Sequence, residues 1–387
     1  MSEVTERHET VIIGGGQAGL AVGYHLARLG RPFVILEGGA RVGEAWRARW
    51  RSLRLFSPAR YDGLPGWRFP APAWSFPTKD EMADYLEAYA ERFELPVVTG
   101  VRVDGVAKDG DGFLVTAGER RFAAAAVVVA TGAHRTPHTP ALSAELDPRI
   151  HQLHSRDYRD PSGLPGGPAL VVGAGNSGAE IALELARTRP VWLAGRDVGE
   201  IPVPHGSRRS RLFLPLIRFL GHRVLTVRTP VGRRVGPGLA HGATPLIRTR
   251  TEELLAAGVE RVARVADTHD GLPVLEDGRA LEPAVVVWCT GFRQDFSWID
   301  LPVLGDDGQP AHDRGVARAE PGLAFVGLPF QYAVTSDVLP GVGRDARRVA
   351  EHVARRARAT RRRGAGDVGR PDAATVAPAR PAGAPAD

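Results

Sequence analysis

Cysteine is nearly absent from this sequence: Cys289 stands alone among 387 residues. One thiol excludes an internal disulfide framework and any cysteine pair that relays electrons, and it fits a reducing cytoplasm. Lysine is almost as scarce. Lys79 and Lys108 are the only two among 50 basic residues, so the net charge of +6 rests on arginine. Richness in Ala, Gly and Pro accompanies this, as in proteins of GC-rich bacteria. The arginines are spread along the chain, so a nucleic-acid partner is not expected. No apolar run reaches the roughly 18 residues that cross a bilayer. The opening MSEVTERHET is polar and has no apolar signal core, so a cytoplasmic location is expected. The histidines show no ligand spacing with cysteines or acids, and no metal site is expected. What remains, 43% hydrophobic and 24% charged residues, is the composition of a soluble globular protein too long for one ordinary core.

Glycine is plentiful, and it is patterned. VIIGGGQAGL (residues 11–20) and VVGAGNSGAE (171–180) carry the same G-x-G-x-x-G spacing. Around the first loop, the apolar run 11–13 reads as a buried strand. QAGLAVGYHLARLG has helical spacing and stops at Gly30, and PFVILE reads as a second strand ending in Glu37. Strand, glycine turn, helix, strand and acid together make a dinucleotide-binding unit. Gly14 permits the tight turn, Gly16 lets the backbone approach a pyrophosphate, and Gly19 lets the helix pack close to the strand. The helix start, with Gln17 and Ala18, turns unpaired N–H groups toward the phosphates. Glu37, eighteen residues beyond Gly19, is placed to accept hydrogen bonds from ribose hydroxyls.

The second loop repeats the pattern with Gly173, Gly175 and Gly178, and with Asn176 and Ser177 at the helix start. Its next strand, PVWLAGR, leads to Arg196 rather than to an acid. Arg196 is eighteen residues beyond Gly178, in register with Glu37. A guanidinium binds a 2′-phosphate bidentately where a carboxylate would repel it, so the second loop is expected to prefer NADPH over NADH. In so arginine-rich a chain an arginine here can also be chance; the matched offset favours the phosphate reading. Arg208, Arg209 and Arg211 add positive charge, and Asp197 opposes it.

The duplication extends further. Residues 99–132 resemble 257–291: each alternates short strands with DGDG or HDG turns and ends in a VVV strand followed by a T-G turn, Thr131–Gly132 and Thr290–Gly291. The expected fold is therefore α/β, with two Rossmann-like dinucleotide-binding domains and the second inserted in the first. The boundaries read as 1–158 for the first part, 159–169 for a linker (RDPSGLPGGPA), 170–294 for the inserted domain and 295–363 for the return. In that return GLAFVGLPF is the last strand and DARRVAEHVARRARA the last helix. A tail rich in Ala, Pro and Gly, 364–387, is expected to be disordered.

Finer motifs follow one another along nearly the whole chain: GEAWRARWRSLRLFSP, FPTKDEMADYLEAYAERFELPV, ATGAHRTPHTP, HSRDYRDP, GAGNSGAEIA and GLPFQYAVTSDVLPGVGRDA. In this order they resemble the flavin-containing monooxygenase-like group of two-dinucleotide-binding-domain flavoproteins. That group includes YUCCA-type plant enzymes and bacterial flavoproteins named after cation-efflux loci. The resemblance implies FAD in the first domain and NADPH in the inserted one. Trp46, Val103, Thr131 and Gly132 join the first glycine loop in holding FAD, and Thr290 and Gly291 join the second. It further implies that TSDVLPGVGRDA brings a helix start to the flavin, with Ser336 and Asp337 as candidates and Gly341 and Gly343 as turn residues.

The implied reaction is oxygenation of a small organic substrate with O2 through a C4a-(hydro)peroxyflavin, in which the cofactor carries the chemistry and no acid–base side chain is assigned. Flavin reduction with electrons passed to an external acceptor is the alternative, and a nucleotide-holding sensor is a third. The family fingerprint F-x-G-x-x-x-H-x-x-x-Y/F is half present: Pro148 and Ile150 replace Phe and Gly, while His154 and Tyr158 match. Tyr158 leans away from lactone-forming enzymes, and His154 can equally be a linker anchor.

Three stretches stay open. The run with Trp46, Trp50 and Phe56 reads as a flavin cover rather than an RNA surface. The apolar run 212–227 can be a lid, a channel wall or an interfacial segment, with core packing expected. The basic run 355–363 reads as a solvated helix end. The sequence gives no oligomeric state.

Overall fold

The computed structural model describes residues 4–132, 136–241 and 244–367. Strand β1 (Thr5–Ile13) passes through the first glycine loop into α1 (Gln17–Arg28) and β2 (Val34–Leu36). After the short α2 (Glu44–Arg47) and α3 (Lys79–Arg92) come β3 (Val97–Val98), the hairpin β4 (Gly105–Asp109) and β5 (Gly112–Ala117), and the long β6 (Arg120–Val129). β1 is longer than its apolar run because its polar start, Thr5 to His8, pairs with Arg121 to Ala124 of β6.

The chain then crosses through β7 (Thr136–Pro137) and β8 (His151–His154) into the second unit. That unit holds β9 (Ala169–Val172), α4 (Asn176–Leu185), β10 (Val191–Ala194), α5 (Arg208–Phe219), α6 (Pro230–His241) and α7 (Thr251–Ala256). β11 (Val259–Val262), the antiparallel pair β12 (Val265–His269) and β13 (Leu272–Leu275), and β14 (Val285–Trp288) complete it. β15 (Phe292–Arg293) pairs antiparallel with β7, so the outgoing and returning crossings form one ribbon. β16 (Ile299–Asp300) joins β4, β17 (His312–Asp313) and β18 (Val316–Ala317) make a hairpin, and β19 (Leu323–Phe325) precedes α8 (Leu339–Asp367).

The two sheets repeat one order. In the first, β3, β2, β1, β6 and β19 lie side by side and parallel. In the second, β11, β10, β9, β14 and β8 do the same. This is the doubly wound arrangement in which ligands bind beyond the carboxyl ends of the strands. The units differ in their fifth strand: β19 comes from the chain after the insertion, β8 from before the inserted loop. The meanders differ too, since β4 and β5 extend the first sheet while β12 and β13 form a separate ribbon.

Several expectations shift. Residues 151–158, expected in the first domain, lie with the second: β8 pairs with β14, and Tyr158 is buried in the core under β9 and β14. Trp50 is buried in that same core while Trp46 packs against the core of the first unit, so their run bridges the units. Helix α8 begins at Leu339, well before the expected DARR, and Gly341 and Gly343 lie inside it. There they admit close packing on Thr335 and Pro65 rather than forming a turn. The same helix runs to Asp367, so the tail expected from Gly364 begins inside it and otherwise lies outside the described residues. So do the side chains of most of the basic run 355–363.

Candidate nucleotide and active site

Each glycine loop is fixed by contacts with its own sheet, and the two are near copies at a constant offset of 159 residues (173 − 14, 178 − 19, 290 − 131). Gly14 has φ +109° and Gly173 φ +110°, values that side chains other than glycine's rarely tolerate. A Cβ on Gly14 would press on the Ala130 carbonyl, and one on Gly173 on the Cys289 carbonyl at the equivalent point of β14's end. A Cβ on Gly19 or Gly178 would collide with the carbonyl oxygen of Gly14 or Gly173. These four glycines hold the backbone in shape.

Gly16 and Gly175 are different: a Cβ on either would meet nothing within 4 Å. Both are the N-caps of their helices, and neither makes a side-chain cap bond. Neither helix has an acid in its first turn. Two helix starts thus turn unpaired N–H groups into open space, which is the arrangement a pyrophosphate requires. Gln17, Ala18, Asn176 and Ser177 are the first helical residues on the two sides. The T-G turns lie alongside as expected, with Gly132 at φ +74° and Gly291 at φ +84°.

Beyond the loops the units diverge. The Glu37 carboxylate accepts hydrogen bonds from the backbone N–H of Gly15 and of Gly39, both at 2.7 Å, so the acid is held at the loop's mouth. A Cβ on Gly15 would crowd Glu37, which makes Gly15 a site residue that the spacing argument passed over. At the matching place Arg196 is exposed. The neighbouring Asp197 is engaged elsewhere, accepting from the Gly199 N–H at 2.9 Å. Arg211, expected to add charge here, stacks its guanidinium over Trp74 at 5.8 Å.

The remaining candidates are placed as follows. Trp46 is half-buried in α2 beside the core of the first unit, and Val103 is buried beneath its sheet. The Asn176 side chain clamps the loop after α6, accepting from Ile247 N–H at 2.9 Å and donating to Pro245 O at 3.1 Å, so only its backbone is left for a phosphate. Ser336 is fully buried. Its hydroxyl accepts from the N–H groups of Tyr332 and Ala333, both at 3.0 Å, and so fixes the turn before α8. Asp337 follows on that turn, its carboxyl pushed above the usual range by burial.

His154 and Tyr158, the matched half of the fingerprint, act as pins. His154 Nδ1 accepts from Arg156 N–H, so its Nε2 carries the proton and donates to Gly291 O at 3.0 Å. Burial lowers the pKa of this imidazole and keeps it neutral. The Tyr158 hydroxyl donates to Glu184 at 2.8 Å, and burial raises its pKa. Cys289, in contact with the second core, has its thiol pushed up to about 12 by burial, far from a reactive thiolate.

A family described as pyridine nucleotide-disulphide oxidoreductase matches residues 11–198. An uncharacterized CzcO-like oxidoreductase of Geobacillus kaustophilus is 36% identical over 87% of this chain and 96% of its own length. The chain belongs to the CzcO-like oxidoreductases. It is also 34% identical to the indole-3-pyruvate monooxygenase YUCCA4 of rice, over 92% of this chain and 89% of that one. A solved flavin-containing monooxygenase from Stenotrophomonas maltophilia superposes with a TM-score of 0.73 at 30% identity, covering 91% of this chain and 99% of that one. This CzcO-like chain is accordingly an oxidoreductase of the flavin-dependent kind, with the α/β architecture of two dinucleotide-binding units that its sequence implies.

Proposed function

We propose that this chain is an FAD- and NADPH-dependent monooxygenase that transfers one oxygen atom of O2 to a small organic substrate. The observation that carries the reading is the pair of glycine loops, alike in backbone and followed at the same offset by residues of opposite charge, Glu37 and Arg196. Gly14, Gly16, Gln17, Ala18 and Gly19 hold the FAD pyrophosphate on the α1 N–H groups, and Glu37 takes the ribose hydroxyls. Gly173, Gly175, Ser177 and Gly178 hold the NADPH pyrophosphate on α4, and Arg196 holds the 2′-phosphate. Bound flavin supplies hydride acceptance and oxygen activation. His154 and Tyr158 hold the T-G turn and α4 in place within the second unit through Gly291 and Glu184.

The relatives named as monooxygenases support the oxygenating reaction. So does the thiol chemistry: relay of electrons to a disulfide needs two nearby cysteines, and Cys289 is one thiol, held protonated. The test is stopped-flow mixing of the anaerobically NADPH-reduced protein with oxygenated buffer, alone and with amine, thioether and carbonyl substrates. A near-ultraviolet species preceding the return of oxidised flavin is expected. Return without such a species under every condition would leave the protein a reductase.

A further inference from the structure

The apolar run 212–227, expected to pack in the core, does the reverse. Eight of the twelve exposed large apolar side chains among the described residues lie between 212 and 235. They occupy the helical pair α5 and α6, joined by a π-turn at Leu220–Val224. Small residues face the protein, while large apolar side chains and arginines both face out.

On α5 the inward positions are Ser210, which is buried, and Leu214, which is half-buried. Arg211 and Arg218, seven residues apart and so on one side of the helix, are exposed beside the apolar face and lay their guanidinium groups over Trp74 at 5.8 Å and Tyr61 at 5.0 Å. The outward face carries Leu212 (78% exposed), Phe213, Leu216 (53%), Ile217, Phe219 (57%) and Leu220. On α6 the inward positions are Gly232 and Gly236, whose missing Cβ atoms admit Thr226 and the Phe330 ring. Val231 and Val235 face out. The pair is nonetheless firmly seated. Val227 N–H donates to Tyr332 O at 2.8 Å, Val334 N–H to Leu225 O at 3.2 Å and Arg344 to His222 O at 2.9 Å. The outward apolar face is thus a feature of a docked element, not of a detached one.

Charge identifies what covers it. No Asp or Glu occurs between Glu200 and Glu252. Arg208, Arg209, Arg223, Arg233 and Arg234 are exposed around the apolar face. A second copy of the chain would bring the same arginines against themselves in a two-fold interface. A flat anionic surface with an apolar interior complements both features at once, and basic amphipathic helices lie in such interfaces. No described helix is long and apolar enough to cross a membrane, so contact is confined to the interface plane. We propose that α5 and α6 form a docking element by which this protein binds the surface of an anionic phospholipid bilayer, apolar face down and arginines among the headgroups. This stands independently of the reaction assigned above.

The test is flotation of the full-length protein with phosphatidylcholine vesicles and with vesicles containing roughly a third phosphatidylglycerol. Co-flotation about tenfold greater with the anionic vesicles, reduced by high salt, is expected. F213D/I217D should abolish it with unchanged melting temperature. R208Q/R209Q should weaken binding to anionic vesicles and leave the small neutral binding as it was. Equal flotation of wild type and F213D/I217D would overturn the proposal. So would a lipid-free dimer that F213D/I217D splits to monomers with no vesicle binding in either protein; the face would then join two copies of the chain.

Discussion

The two glycine loops are the same object to within a degree at their first glycine, yet they end on residues of opposite charge. Gly14 and Gly173 share φ near 110°, and Gly19 and Gly178 each leave room for the carbonyl of that first glycine. Eighteen residues on, Glu37 is locked to two backbone amides while Arg196 stands exposed. Backbone geometry is set by where a Cβ cannot go, and it makes a phosphate cradle without choosing a nucleotide. In the function proposed here the choice falls to one side chain at the end of the second strand.

Substitutions can take the likeness and the difference apart. The largest effects are expected at the packed glycines. Gly19→Ala and Gly178→Ala force the backbone off a carbonyl oxygen, at a cost of about 3 kcal/mol or more to the local structure. Gly19→Ala should purify without flavin. Gly178→Ala should keep its flavin and resist reduction by NADPH. Absorbance per protein and anaerobic reduction read the two outcomes, and an exchange of phenotypes would reverse the assignment of the loops.

Glu37→Gln comes next. Two amides lose a charged acceptor, each such bond being worth about 1.5–3 kcal/mol, so FAD affinity should fall by at least about tenfold with KM for NADPH unchanged. Fluorescence titration of the apoprotein measures it. Tyr158→Phe removes one hydrogen bond to Glu184 and should lower stability by about 1 kcal/mol without altering flavin content, as denaturant unfolding will show.

The smallest effect is in pH. His222 is held neutral by burial and by Arg218 and Arg344, its pKa lowered to about 4 from the ordinary 6.5. The folded state therefore refuses a proton that the unfolded state takes up. The stability this group contributes is complete above pH 6.5 and is lost as pH falls toward 4. His222→Gln should flatten part of that slope in melting temperature against pH.

How much of this was legible in the sequence follows from the range of the interactions. The loops, their helices and the offset of Glu37 and Arg196 are local, dictated by glycines at fixed spacing, and they could be read directly. Strand membership was harder. HQLH in β8 is four residues whose partner, β14, lies more than 130 residues away, so nothing local places it in the second sheet. The exposure of α5 inverted the ordinary meaning of an apolar run. Asn176 and Ser336 were rightly placed beside helix starts, but their side chains were claimed by loops that meet them only in the folded chain.

We propose that the two loops hold different nucleotides and that Arg196 chooses the second. Anaerobic flavin reduction of wild type and Arg196→Ala, each titrated with NADPH and with NADH, tests it most directly. Wild type is expected to prefer NADPH, Arg196→Ala to weaken NADPH roughly tenfold or more while leaving NADH alone, and flavin content to be the same in both proteins. An unchanged preference in Arg196→Ala, or loss of flavin from it, would show that Arg196 does not choose the second nucleotide.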